Sequence, residues 1–287
     1  MTAQQFESKY LRTPFGYSYH GLMLADSEIV GAYNTIPYTY QYFKRSVTFC
    51  LSTDTMVDER YRAESFSMLK MAKSVLSKME QDGICFAFGF PNDQAYNYTI
   101  KLLKWQDLGE LDYYLLPRNV GAIIPGLRWL NFMSQACTMM LVRLPLYRRK
   151  AEHNYCVEKV RDILFEQHRY DSSYRFIDLG GGQKCVYKIY TEDEGVRTLY
   201  VIDVYPLTPA VFEKAIARIY NEAGSTIDVM LYVGKLSFAP RRMIKVPDKH
   251  KPRRIRMCGR ILDHNVVDDK VLQIENWNIN ISNFDVR

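Results

Sequence analysis

Between Thr48 and Trp105 the chain reads strand, helix, strand, helix, and that order places it in the α/β class. Val47, Phe49 and Leu51 alternate along a strand from Ser46 to Val57. A helix from about Arg62 to Glu80 then carries Phe66, Leu69, Ala72, Leu76 and Met79 at three- and four-residue steps, so one face is apolar. Gly83 stands where a helix stop or turn glycine belongs. Ile84 to Phe90 is a nearly continuous apolar run, as suits a strand buried on both faces. Pro91-Asn92 ends it, and Asn92 is a good N-cap for a second helix, Asp93 to Lys104.

The turn between the first strand and helix has chemical potential. A helix start offers free N–H groups and the positive end of the helix dipole, the two things an anion needs. Arg62-Ala63-Glu64-Ser65-Phe66-Ser67 adds a full positive charge at Arg62 and small residues at Ala63, Ser65 and Ser67. Small side chains let the backbone approach a ligand closely. The segment is physically adequate to hold a pyrophosphate.

These residues resemble the GCN5-related N-acetyltransferase (GNAT) superfamily, whose cofactor motif is Arg or Gln, two residues, Gly, one residue, Gly or Ala. Arg62 matches the first position, while Ser65 and Ser67 stand where the glycines are expected. Gly89-Phe90-Pro91-Asn92, followed by Ala95, Tyr96, Leu103 and Trp105, is similar to the fifth strand and fourth helix of a GNAT subgroup with a G-F-P-N signature. The likeness covers about residues 8 to 116. It implies acetyl-CoA as co-substrate, with pantetheine between two splayed strands against the backbone near Met56 and Val57. The amides of Ala63, Glu64, Ser65, Phe66 and Ser67 would hold the pyrophosphate, and Asn92 would lie near the pantetheine arm. Asp54 would be the candidate base, and Tyr96 and Tyr98 the candidate acids. The family's usual tyrosine position, about seven residues after the asparagine, is occupied by Thr99.

The flanks are also readable. Tyr17 to Leu24 and Ile29 to Pro37 form a hairpin turning at Asp26-Ser27-Glu28, and Leu111 to Leu116 makes one more strand. Pro117 to Lys150 is a connector, helical in its second half. Leu127 to Val142 is too short to span a bilayer and contains Arg128, Asn131 and Gln135. An interfacial helix and a helix packed on the protein body both fit it, and the packed helix is the expectation.

A second unit follows. Strands at Tyr174–Leu179, Cys185–Thr191 and Thr198–Tyr205 lead to a helix capped by Thr208 with Pro209 at its first position, then a strand Ile227–Val233. Strand, helix, glycine, strand thus occurs twice. Internal duplication and chance recurrence of a common unit account for it equally. The expected architecture is a mixed α/β fold with a GNAT-like domain at 1–150 and a smaller α/β domain at 151–287, readable as a degenerate repeat. The prolines at 206 and 209 remove two backbone donors from the second phosphate turn and disfavour a second cofactor there. The tail from Val271 to Val286 is expected to end on a strand.

Two rivals and several exclusions remain. Phe176 to Gly182 is similar to the glycine motif of S-adenosylmethionine methyltransferases, but strand-forming residues follow it, so a hairpin turn is expected. A non-catalytic acyl-CoA or partner-binding module is the other rival. Net charge is +6, which suits an anionic co-substrate and is too mild to imply nucleic acid. The stretch from Arg241 to Arg260 holds nine Lys or Arg with one acid and is expected to be a solvated basic loop. The six cysteines form no C-x-x-C pair, which favours reduced thiols in a cytoplasm over disulfides or a zinc site. The expected function is acetyl transfer to an amine of a small molecule or sugar, by a protein without a transmembrane segment and free to form a homo-oligomer.

Overall fold

A computed structural model describes residues 2–61, 65–144 and 155–284, with backbone alone for 65–67. After a short α1 (Ala3–Phe6), the first hairpin joins β1 (Tyr19–Ala25) to the long β2 (Glu28–Tyr42) through Asp26 and Ser27, both at positive φ, a two-residue turn that matches strand twist. β2 pairs antiparallel with β3 (Arg45–Val57). The chain crosses over through α2 (Ser65–Gln81) to β4 (Phe86–Gly89), which lies parallel to β3. The crossover follows the apolar spacing read from the sequence. Met71, Ala72, Val75, Leu76 and Met79 of α2 are buried against Cys50 and Ala87 of the sheet, each large side chain contributing roughly 1.5–3 kcal/mol. Gly83 turns at φ +79, as expected.

α3 (Asp93–Lys101) follows, then β5 (Gln106–Glu110) and β6 (Asp112–Pro117). One strand was expected here; two form, and they enter different sheets. A short α4 (Val120–Ile123) and α5 (Asn131–Arg143) fill the connector. β7 (Val157–Lys159) and α6 (Ile163–Arg169) precede β8 (Arg175–Gly180), β9 (Gln183–Thr191) and β10 (Arg197–Tyr205). α7 (Pro209–Ala223) connects β10 to the parallel β11 (Val229–Gly234), with Thr208 Oγ1 accepting from Val211 N as its cap. β12 (Ile244–Lys245), β13 (Arg256–Ile261) and β14 (Trp277–Asn278) complete the strands. The tail forms 3-10 turns around the short β14 and not a terminal strand, because Asp268 and Asn280 cap those turns.

Among the described residues, eight strands build the first sheet, in the order β14-β7-β2-β3-β4-β13-β5 with β1 on β2, and six build the second, β12-β6-β11-β10-β9-β8. Each sheet therefore takes strands from both sides of residue 150. The sheets face one another across an aromatic core. Trp277 of β14 sits among Tyr40, Phe49, Phe86 and Phe88, with ring centroids 5.5–5.7 Å away, and donates from its indole to Val271 O at 2.7 Å. α2 and α3 cover the outer face of the first sheet, and α7 with α5 covers that of the second.

The basic stretch is not a solvated loop. Arg242 is buried against Glu213, Lys245 and Lys251 flank Asp112, and Arg256 lies over the Tyr96 ring at 4.3 Å. Buried carboxylates need counter-charges, and this stretch supplies them. β13 carries part of it into the first sheet between β4 and β5. The methyltransferase reading also ends here. Gly180, Gly181 and Gly182 lie at φ between +65 and +80 in a tight β8–β9 turn, and a strand, not a ligand-covering helix, follows.

Candidate active site

The site lies where β3 and β4 part. Their parallel register runs from Phe49 opposite Phe86 to Ser52 opposite Gly89 and stops there, while β3 continues to Val57. A Cβ on Gly89 would stand 3.2 Å from Ser52 O, so glycine lets the strands meet closely at the vertex before they diverge. The divergence has a local cause. Between the pairs Ala32–Met56 and Asn34–Thr53, one residue of β2 faces two of β3. This bulge holds Asp54 at φ +41 and bends the strand away from its neighbour. Asn34 Nδ2 donates to Asp54 O at 3.0 Å and holds the bulge. Beyond Ser52 one edge of β3 is left unpaired by β4, and extended backbone of that kind can bond an amide-bearing chain.

A cleft of about 310 Å³ opens between the strands, lined by Tyr33, Ser52 to Thr55, Met68, Gly89 to Asn92, Ala95, Tyr98, Thr99, Leu103 and Trp105. Two of its lining side chains carry buried polar atoms with no partner: the hydroxyl of Tyr98 and the indole nitrogen of Trp105. Orphaned buried groups cost about 1–3 kcal/mol each, and a polar group entering the cleft can satisfy them. Burial raises the Tyr98 phenol to about 12 and pushes the Tyr33 phenol up further, Ser52 opposing it in part. Both stay protonated at neutral pH.

Asp54 lines the cleft, as does Asn92. The Asp54 carboxylate accepts from Lys9 Nζ at 2.5 Å and Tyr10 Oη at 2.6 Å. Burial pushes its pKa up, but these two donors more than offset that and hold it below the usual range. Asn92 caps α3, its Oδ1 accepting from Ala95 N at 2.8 Å. Tyr98 lines the cleft, whereas Tyr96 turns to Asp107, donating at 2.5 Å. Met56 and Val57 lie further along the open strand, outside the lining, and pair with Ala32 and Gly31 of β2. Arg62, Ala63 and Glu64 lie outside the described residues. Ser65, Phe66 and Ser67 open α2, with their side chains outside the description. Sequence reasoning missed Tyr33 as a wall of the cleft. Only the bulge register brings β2 to that point, and no sequence pattern announces a bulge.

No family model and no curated protein matches the sequence. Solved structures do match in fold. A GCN5-related N-acetyltransferase from Anabaena variabilis superposes with a TM-score of 0.54 at 11% identity, over 84% of this chain and 62% of the other. One from Kribbella flavida gives 0.54 at 15%, over 84% and 59%. A probable N-acyltransferase from Enterococcus faecalis gives 0.54 at 12%, over 91% and 66%. The chain thus spans about three-fifths of the length of the first two. The fold is that of the GCN5-related N-acetyltransferases: a mixed α/β architecture in which a bulged strand, a crossover helix and a splayed parallel strand frame a cleft.

Proposed function

We propose that this chain transfers an acyl group, acetyl in the first instance, from coenzyme A to an amine of a small molecule or sugar. The observation that carries the reading is the cleft past Ser52 and Gly89, with two unpartnered buried polar atoms from Tyr98 and Trp105. The stretch of β3 past its last pair with β4, from Thr53 towards Met56 and Val57, is assigned to the pantetheine amides. The turn from Arg62 to Ser67 is assigned to the pyrophosphate, and Asn92 to the arm near the sulfur. The lining of this cleft lies within residues 1–150, and 151–287 supply β13 beside β4 and five of the six strands of the second sheet. All six cysteines are free, which fits the reducing cytoplasm we assign to it.

Tyr98 is the proposed acid. The ammonium first gives one proton to water. As the neutral nitrogen then bonds to the acyl carbon and the carbon–sulfur bond breaks, the departing thiolate takes the phenolic proton, the nitrogen gives its second proton to water, and water restores the phenol. A phenol held near 12 is protonated before the step and can donate to a forming thiolate. Asp54 is a weak base with its carboxylate held low by Lys9 and Tyr10. Its proposed role is to attract and orient the incoming cationic amine.

The test is thermal stability with millimolar acetyl-CoA, in the wild type and in Arg62→Glu, followed by thiol release over a panel of amines. Ligand binding raises apparent stability by RT ln(1 + [L]/Kd). A shift that the charge reversal removes, with thiol release, supports the enzyme. A shift without release supports a binding module, and no wild-type shift sinks both.

A further inference from the structure

The inward side of α5 carries hydrogen-bonding side chains beside Leu141 and Val142, which pack into the second core. Ser134 and Thr138 hydroxyls both donate to Pro117 O, at 3.1 and 2.8 Å, Gln135 Nε2 donates to Asn119 Oδ1 at 2.7 Å, and Asn131 Oδ1 accepts from Gly121 N at 2.8 Å. The buried Arg242 closes the far end, donating to Val142 O and Leu144 O at 3.0 and 2.7 Å while pairing with Glu213. The helix is therefore locked with an apolar stripe outward. Trp129, Phe132 and Met140 are 69, 68 and 71% exposed, with Ile124, Met133 and Leu144 also exposed around them. A contiguous exposed apolar face of this kind marks an interaction site.

We infer that this face is a membrane-docking surface that lays α5 flat on a bilayer containing anionic lipid. Charge selects the occupant. From Tyr113 to Ala151 the sequence holds six Lys or Arg and no Asp or Glu, and Arg128 and Arg143 are exposed at the rim of the apolar face. A second copy docked there would set arginines against arginines with no acid from this stretch to neutralise them. A lipid surface accepts the apolar side chains into its acyl boundary and the arginines among its phosphates. Trp129 is of the type that settles at such an interface. Among the described residues no helix is long and apolar enough to cross a membrane, so the contact is peripheral.

The chain carries its own probe. Trp105 and Trp277 are buried at 4 and 0% exposure, so Trp129 is the solvent-exposed indole among the three tryptophans. The experiment is flotation with phosphatidylcholine vesicles, with and without about one-third phosphatidylglycerol, together with tryptophan emission. The expected result is binding to anionic vesicles, a blue shift in emission, and weakening by salt. Trp129→Ser/Phe132→Ser/Met140→Ser should lose about tenfold or more in vesicle affinity with an unchanged melting temperature. Arg128→Glu/Arg143→Glu, which leaves the apolar face intact, should lose affinity for anionic vesicles. Failure of the wild type to float, or equal flotation of the triple variant, overturns the inference. So does a wild-type dimer that the triple variant dissolves without any vesicle binding.

Discussion

Asn280 donates from Nδ2 to Asp203 Oδ1 at 2.9 Å, and that bond closes in the second unit the gap that stays open in the first. β10 and β11 run parallel from Thr198 opposite Val229 to Val201 opposite Tyr232, and β10 bulges by one residue at Ile202, just past the last pair. β3 bulges at Asp54, likewise just past its last pair with β4. The two units thus share a bulge and a splay. In the second, Asn280 bridges to Gly234 and Ile279 O accepts from Lys235 N, so the chain's own tail fills the opening. In the first, the Tyr98 hydroxyl and the Trp105 indole nitrogen line the cleft without a partner. The same bulge and splay leave an open cleft in one place and form an internal joint in the other.

The joint is ionic. Asp203 pairs with Arg161 at 2.7 Å and Lys159 at 3.6 Å, all three nearly fully buried. Burial alone would raise the Asp203 pKa, but the two cations hold it far below the ordinary value. Asp203→Asn leaves both cations without a counter-charge. The expected loss is about 3–5 kcal/mol of unfolding free energy, measured as a fall in urea midpoint. A fall of less than about 1 kcal/mol would mean the pair is dispensable.

Lys159 gives the joint a pH signature. Burial lowers its pKa to about 7, Asp203 opposing that in part, while the unfolded chain titrates near 10.5. Between those values the unfolded state binds a proton that the native state does not, so stability rises with pH across the window. Urea midpoints taken at about pH 7 and pH 9.5 should increase in the wild type. In Lys159→Met that component of the increase should vanish. An identical rise in the variant would place the titration elsewhere.

Much of this fold was legible because local signals and tertiary demands agree. Asp26-Ser27, the α2 apolar face, Gly83, the Asn92 cap and the Thr208-Pro209 start each have a local physical cause, and the structure has each of them. What sequence could not give is long-range pairing. β13 enters between β4 and β5 from about 150 residues away in the chain, and no local pattern specifies that. The basic stretch shows the same limit. Its charges read as solvated until Asp112 and Glu213 are seen to need them. At the site, Asp54 and Tyr98 were legible from resemblance and both line the cleft, but Tyr33 depends on a bulge.

The Lys9–Asp54 pair at 2.5 Å yields a third prediction. Removing the cation by Lys9→Met leaves Asp54 with Tyr10 and Thr53 as donors, and its pKa should rise towards the ordinary carboxylate range. If Asp54 orients a cationic amine, the acid limb of the kcat/KM profile moves to higher pH in this variant. Asp54→Asn should raise KM for the amine about tenfold or more while leaving KM for acetyl-CoA little changed. An Asp54→Asn enzyme with wild-type KM for the amine would remove Asp54 from the site.

Tyr98 separates chemistry from stability most cleanly. Its hydroxyl is buried without a partner, so Tyr98→Phe removes an unsatisfied polar atom and should leave the free protein at least as stable. If the phenol donates its proton to the leaving thiolate, kcat should fall by about 10²-fold or more, with acetyl-CoA binding retained by the rest of the cleft. The high-pH limb of kcat should change as well, because the wild-type phenol ionises near 12 and the phenylalanine has no proton to lose. Thiol release followed against pH, with melting curves on the same samples, reads both effects. A stable Tyr98→Phe variant with undiminished kcat would mean that the thiolate takes its proton from another donor, and the cleft would still bind without Tyr98 serving as acid.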